Sequence, residues 1–306
     1  MAVLHVTNGS HAAQDLQTLG GETLTWDDVL HEGPVPAQPP AALRETRAQF
    51  LADAGLTDLA TARARLATRD ARLDAVDFST KLILWFEDDL YDQLQLLQIL
   101  DRLATGDTPT RRSRPLGPVQ LVALPRGPRT FLRDRLARAA SLRDADHAFA
   151  ATAWDAFTAS DPHAVEQVAM GAGTPNLPDV APALQRLLEE HPSTTDGLGR
   201  TERQILEAVQ AGPLHGPALF TATQAREERP FHGDATLLHR ARRLEPQLLE
   251  RTEDGRFALT GDGQRVLNEG ADALDLLPPL DRWVGGVHHL GTPAVRYDPA
   301  TRRLAP

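Results

Sequence analysis

The chain of 306 residues contains no cysteine. Disulfides, thiolate-held metals and a cysteine nucleophile are thereby excluded. Aromatic residues make up only 5%, and Lys81 is the single lysine; every other basic side chain is arginine. Amine chemistry therefore has one candidate, at the start of a predicted strand, which is the wrong end for a site in a parallel sheet. Long apolar runs are missing too: none approaches the roughly 20 residues that a helix needs to cross a bilayer. The opening residues, MAVLHVTNGS, lack a basic segment followed by an apolar core, so no signal peptide is expected. A cytoplasmic protein without a membrane partner is the expectation. Net charge is −10, which disfavours overall attraction to nucleic acid, so any DNA contact has to come from a local patch. What remains is an ordinary globular composition, 41% hydrophobic and 24% charged, long enough for two domains.

The pattern along the chain alternates. "AVLHVT", "ETLTW", "KLILWF" and "VQLVAL" read as strands, separated by helical segments at 11–19, 41–76 and 89–104. "KLILWF" is apolar at consecutive positions, as in a strand covered on both faces. This order predicts an α/β fold, a Rossmann-like, mostly parallel sheet flanked by helices, over residues 1–140. Residues 141–192 read as a helical connector, and the polar "HPSTTDGLG" reads as a linker. Over 200–270, three helices, a hairpin turning at Asp254–Gly255 and a closing helix outline a winged-helix-like α+β domain. Thr201 and Asp234 are the expected N-caps of its first and third helices. Short strands at 281–306 are placed as an inter-domain clamp.

Several phrases resemble one bacterial family. "VTNG", "WDDVLHEGPVP", "LWFEDDLYDQLQLLQILDRL", "GLGRTERQILEAV", "ERPFHGD" and "DRWVGGVHHLG" are together similar to proteins carrying the domain of unknown function 1835. The likeness spans nearly the whole chain. It implies no activity and transfers no catalytic residue. Relatives often carry Asp after "NG", where this chain has Ser10.

Ligands of a parallel sheet bind beyond the carboxyl ends of its strands. That rim collects Asn8, Gly9 and Ser10 from the first strand, and Asp27, Asp28, His31 and Glu32 from the second. The third adds Glu87, Asp88 and Asp89, and the fourth Arg126 and Arg129. Asn8, Gly9 and Ser10 precede a helix whose free amides suit a phosphate, or they merely cap it. Asp27, Glu87 and Asp88 are hard oxygen donors for magnesium or manganese; in the alternative, acids near Asp89 only complement a helix dipole. His31, oriented by Asp28, is the candidate general base, or the loop is simply a rigid turn. Arg126 would balance the charge.

Three readings stay open. The first is metal-assisted phosphoester chemistry on a phosphate-bearing ligand such as a nucleotide. The second is a ligand-sensing regulator whose winged helix binds DNA through Arg240, Arg242 and Arg243, although acids in the wing oppose this. The third is a non-catalytic interaction module presenting the Gln-rich helix around Gln95.

Overall fold

The predicted strands AVLHVT and KLILWF lie side by side at the centre of a five-stranded sheet in the computed structural model, which describes residues 1–105, 116–124 and 131–305. Strands β1 (Ala2–Thr7), β2 (Glu22–Thr25), β3 (Thr80–Phe86), β4 (Val119–Ala123) and β5 (Ala140–Ser141) are ordered β2-β1-β3-β4-β5. The first four run parallel; β5, which the sequence pattern does not reveal, is antiparallel to β4. Strand order reverses between β1 and β3, which opens a crevice at their carboxyl ends.

Eight helices are threaded between and after these strands among the described residues. They are α1 (Ser10–Leu16), α2 (Pro40–Asp53), α3 (Leu59–Asp74), α4 (Leu90–Thr105), α5 (Leu132–Ala137), α6 (Asp144–Thr158), α7 (Pro162–Met170) and α8 (Val180–Leu188). The consecutive apolar residues of β3 divide by parity. Leu82, Leu84 and Phe86 enter the main core with α4, α6 and α8. Ile83 and Trp85 enter a smaller core with Leu16 of α1 and Leu132 of α5. A strand with two covered faces cannot alternate apolar and polar residues. Helix α4 is buried nearly all round, so its glutamines face protein rather than solvent. Gln95 is fully buried and donates to the Asp28 carbonyl at 3.0 Å, which removes it as the centre of an exposed partner surface.

The chain continues with α9 (Arg200–Val209), α10 (Gly216–Gln224) and α11 (Asp234–Arg243). A hairpin of β6 (Leu249–Arg251) and β7 (Phe257–Leu259) follows, then α12 (Gly261–Asn268). These elements enclose a second core around Ile205, Leu206, Leu237 and Phe257. The expected caps differ. Gly199 and Gly233 precede α9 and α11, and Glu202 accepts the Gly199 amide at 2.9 Å. Thr201 is instead buried and donates to Glu190 at 2.6 Å.

"HPSTTDGLG" does not lie in solvent as a polar linker would: His191, Ser193 and Asp196 are buried. The tail holds it down. Tyr297, in β10 (Arg296–Asp298), donates its amide to Pro192 and accepts from the Thr194 amide, each at 2.8 Å; β10 pairs with β11 (Arg303–Ala305). Another hairpin, β8 (Leu280–Val284) and β9 (Val287–Gly291), turns at Gly285–Gly286. Gly285 has φ +58°, and a Cβ on Gly286 would sit 1.9 Å from the Thr158 carbonyl, so neither position tolerates a side chain without strain. The turn accepts the Val35 amide at 2.9 Å and donates to the Phe157 carbonyl at 2.9 Å. It thus ties the end of the WDDVLHEGPVP loop to α6. No helix among the described residues is long and apolar enough to cross a membrane.

Candidate functional site

The rim residues do not converge as the sequence suggests. Asp27 pairs with Arg65 of α3, half-exposed. Asp88 pairs with Arg229 at 3.4 Å. Glu87 is half-buried, and its amide donates to Asp92 at 2.5 Å. These three do not form a metal-ligand group. Asp27 and Asp88 are turned toward separate cations, which relieves like-charge repulsion at the rim. Asn8 donates its side-chain amide to Asp92 at 2.6 Å, bridging β1 and α4 across the crevice. Gly9, extended, is the residue before α1; it carries no capping side chain, and Ser10 is exposed. With seven residues, α1 is too short to build an anion site at its start. Arg126 and Arg129 lie outside the described residues.

Asp28 is fully buried, and its partner is structural. Arg47 of α2, equally buried, contacts its carboxylate at 2.7 and 3.1 Å. The same guanidinium donates to the carbonyls of Val29, Glu32 and Pro34 at 3.0, 2.7 and 3.2 Å. One side chain therefore satisfies most polar groups of the loop, which no single backbone ladder does. Asp28 holds Arg47 and takes no part in orienting His31. The fixed loop buries Leu30 in the main core and sends His31 and Glu32 toward α11.

There they meet a segment some 200 residues away. His31, Glu32 and His232 are the one group among the described residues whose potential ligand atoms come together, all within 4.8 Å and all buried. Neither ring nitrogen of His31 has a hydrogen-bond partner, and His232 Nδ1 has none. His31 is ringed edge-on by Tyr91, Phe231 and His232, with centroids 5.5, 5.2 and 5.1 Å away. Burial, reinforced by Arg240, lowers the His31 pKa to about 3. Burial also holds His232 well below the ordinary histidine range, with His31 and Arg240 adding to it. Both imidazoles are neutral at physiological pH, the form that ligates metal.

A charged cluster surrounds this group. Arg240 Nε donates to Glu32 at 2.7 Å, and its Nη1 to Glu190. Arg186 bridges Glu190 and Glu227 at 2.7 and 2.6 Å. Burial pushes Glu190 upward, but Arg240 and Arg186 outweigh it and hold the group well below the carboxylate range. Glu32 shares Arg240, yet burial prevails and its pKa is raised. Glu32 is therefore the less fully compensated of the two carboxylates. Arg240 is 5% exposed and engaged at the junction, so α11 does not offer it to DNA; Arg242 and Arg243 remain exposed. The spacing carries this signal: Arg240 follows Thr236 and Leu237 by four and three residues, on the buried face. His232 lies in "ERPFHGD", with no metal-motif spacing to mark it.

An open cleft of about 730 Å³ adjoins the cluster, lined among others by Leu90, Arg186, Arg200, Glu227 and Arg229. The Arg186 guanidinium lies 5.0 Å from the Phe231 ring, which also meets His31 and, at 4.1 Å, His232. Phe231 thus stands between cleft and imidazole. The chain matches no protein-family model and no curated protein.

Proposed function

We propose that His31, Glu32 and His232 bind a divalent transition metal that assists hydrolysis of a phosphate-bearing ligand held in the adjoining cleft. The unpartnered, neutral ring of His31 beside His232 Nδ1 and Glu32 carries this reading. Leaving three ring nitrogens buried and unsatisfied costs stability, and a metal would repay it at two of them. A two-imidazole, one-carboxylate set suits zinc, manganese or ferrous iron better than magnesium, which prefers oxygen. Bonds of about 2.0–2.1 Å put tetrahedral ligands roughly 3.3 Å apart, so the donors must close in from 4.8 Å by side-chain rotation. Such a metal supplies Lewis acidity and an acidified water. The chain's own part is to hold the rings neutral, to exclude bulk water with Phe231 and Tyr91, and to present the half-exposed Arg200 and Arg229 to an anion.

In this reading the fold is Rossmann-like, the six elements from α9 to α12 form a winged helix docked inward on its third helix, and the chain belongs with the domain-of-unknown-function-1835 proteins that it resembles. All three ligands fall in two of the phrases behind that likeness, "WDDVLHEGPVP" and "ERPFHGD". The test is thermal-shift titration with adenosine monophosphate, with and without zinc or manganese. Stabilisation that requires both, and that is lost in Arg229→Ala, supports the proposal. Equal stabilisation by the nucleotide without metal contradicts it.

A further inference from the structure

A second cavity, away from the histidines, is built for charge. It measures about 250 Å³ and lies between α2, α3, α4 and α6. Trp26, Leu43 and Trp154 form apolar walls, and Arg44, Arg69 and Arg102 crowd the polar part. Three guanidiniums share one buried carboxylate there: Asp70 lies 3.1 Å from Arg44, 3.2 Å from Arg69 and 3.4 Å from Arg102. Arg102 has Asp74 as a further partner at 2.6 Å; Arg44 and Arg69 have no second carboxylate in contact among the described residues. Arg69 is 5% exposed, stacks its guanidinium 3.9 Å from the Trp26 ring, and keeps an Nη1 without a partner.

An arginine cannot shed its charge when buried, as a lysine can. A buried guanidinium nitrogen without a partner, beside an aromatic wall, is costly unless an anion completes it. The volume falls just below that of drug-sized sites, and the flat walls suit a flat body. Asp70 inside, with Asp101 and Asp155 also in the lining, disfavours a doubly charged group more than a singly charged one. The geometry points to a binding site for a small aromatic carboxylic acid, its carboxylate on Arg69 and its ring on the apolar wall that holds Leu43 and Trp154.

Calorimetric titration of the full chain with benzoate, and with benzamide as its neutral isostere, tests this. Benzoate is expected to bind and benzamide to bind at least about tenfold more weakly, since a charged hydrogen bond is lost. Arg69→Met is expected to weaken benzoate by about tenfold or more while Asp70 keeps Arg44 and Arg102. Asp101→Asn removes a like charge from the lining without touching that ion cluster, and is expected to tighten benzoate severalfold. Failure of benzoate to bind, equal affinity for benzamide, or indifference to both substitutions would overturn the inference.

Discussion

Two groups of acids in this molecule meet opposite fates. The rim acids Asp27, Glu87 and Asp88 are close in sequence to their strand ends and look alike, yet Asp27 and Asp88 turn to separate cations, Arg65 and Arg229, and the three form no common group. The junction acids Glu32 and Glu190 come from distant segments and share one arginine, Arg240. The difference is solvent. At a wet rim, repulsion is relieved by spreading; at a dry junction, charges are tolerated only when brought to a common partner.

Substitutions sharpen this contrast. Arg240→Ala leaves buried Glu32 without a cation and Glu190 with Arg186 alone, and is expected to cost about 3–5 kcal/mol in urea unfolding, the largest effect here. A loss below about 1 kcal/mol would mean that the junction is wetter than described. Acid should act at the same place. His31 has its folded pKa lowered to about 3, so between that value and its unfolded value of 6.5 the unfolded chain binds more protons. Stability from this residue is present above pH 6.5 and is lost as pH falls through that window. His191 and His232, lowered in the same way, act in the same sense, whereas Glu32, raised, opposes them. His31→Phe should therefore flatten the decline in unfolding midpoint between pH 7 and pH 5; an unchanged slope would show the imidazole already charged.

Smaller effects complete the series. Gln95→Ala strips the buried Asp28 carbonyl of its donor and is expected to cost about 1–3 kcal/mol. Asp27→Ala breaks a half-exposed pair and should cost about 0–1 kcal/mol. Were Asp27→Ala the costlier of the two, rim and junction would have exchanged roles.

Local patterns made much of this fold readable. The runs KLILWF and AVLHVT, the helix ending before Gly55 and the Asp254–Gly255 turn all stand where periodicity and turn chemistry put them. The two-residue strand β5 is too short to leave a pattern, and β8 lies in a stretch without clear alternation. Within the site, His31 and Glu32 were legible as a loop rich in ligand chemistry. His232 was not, because only tertiary packing carries Phe231 and His232 into the first core. Asp28 was misread for the same reason: the partner that claims it, Arg47, is nineteen residues on, across a proline-rich loop. Spacing shows which residues share a face of one helix; it does not show which face of another element they meet.

Isothermal titration of the purified, chelator-treated protein with zinc or manganese tests the central claim most directly. One equivalent should bind and be lost in both His31→Ala and His232→Ala, while Asp27→Asn and Glu87→Gln titrate like the parent. Binding that survives removal of the two imidazoles, or that vanishes with the rim acids instead, would contradict the account.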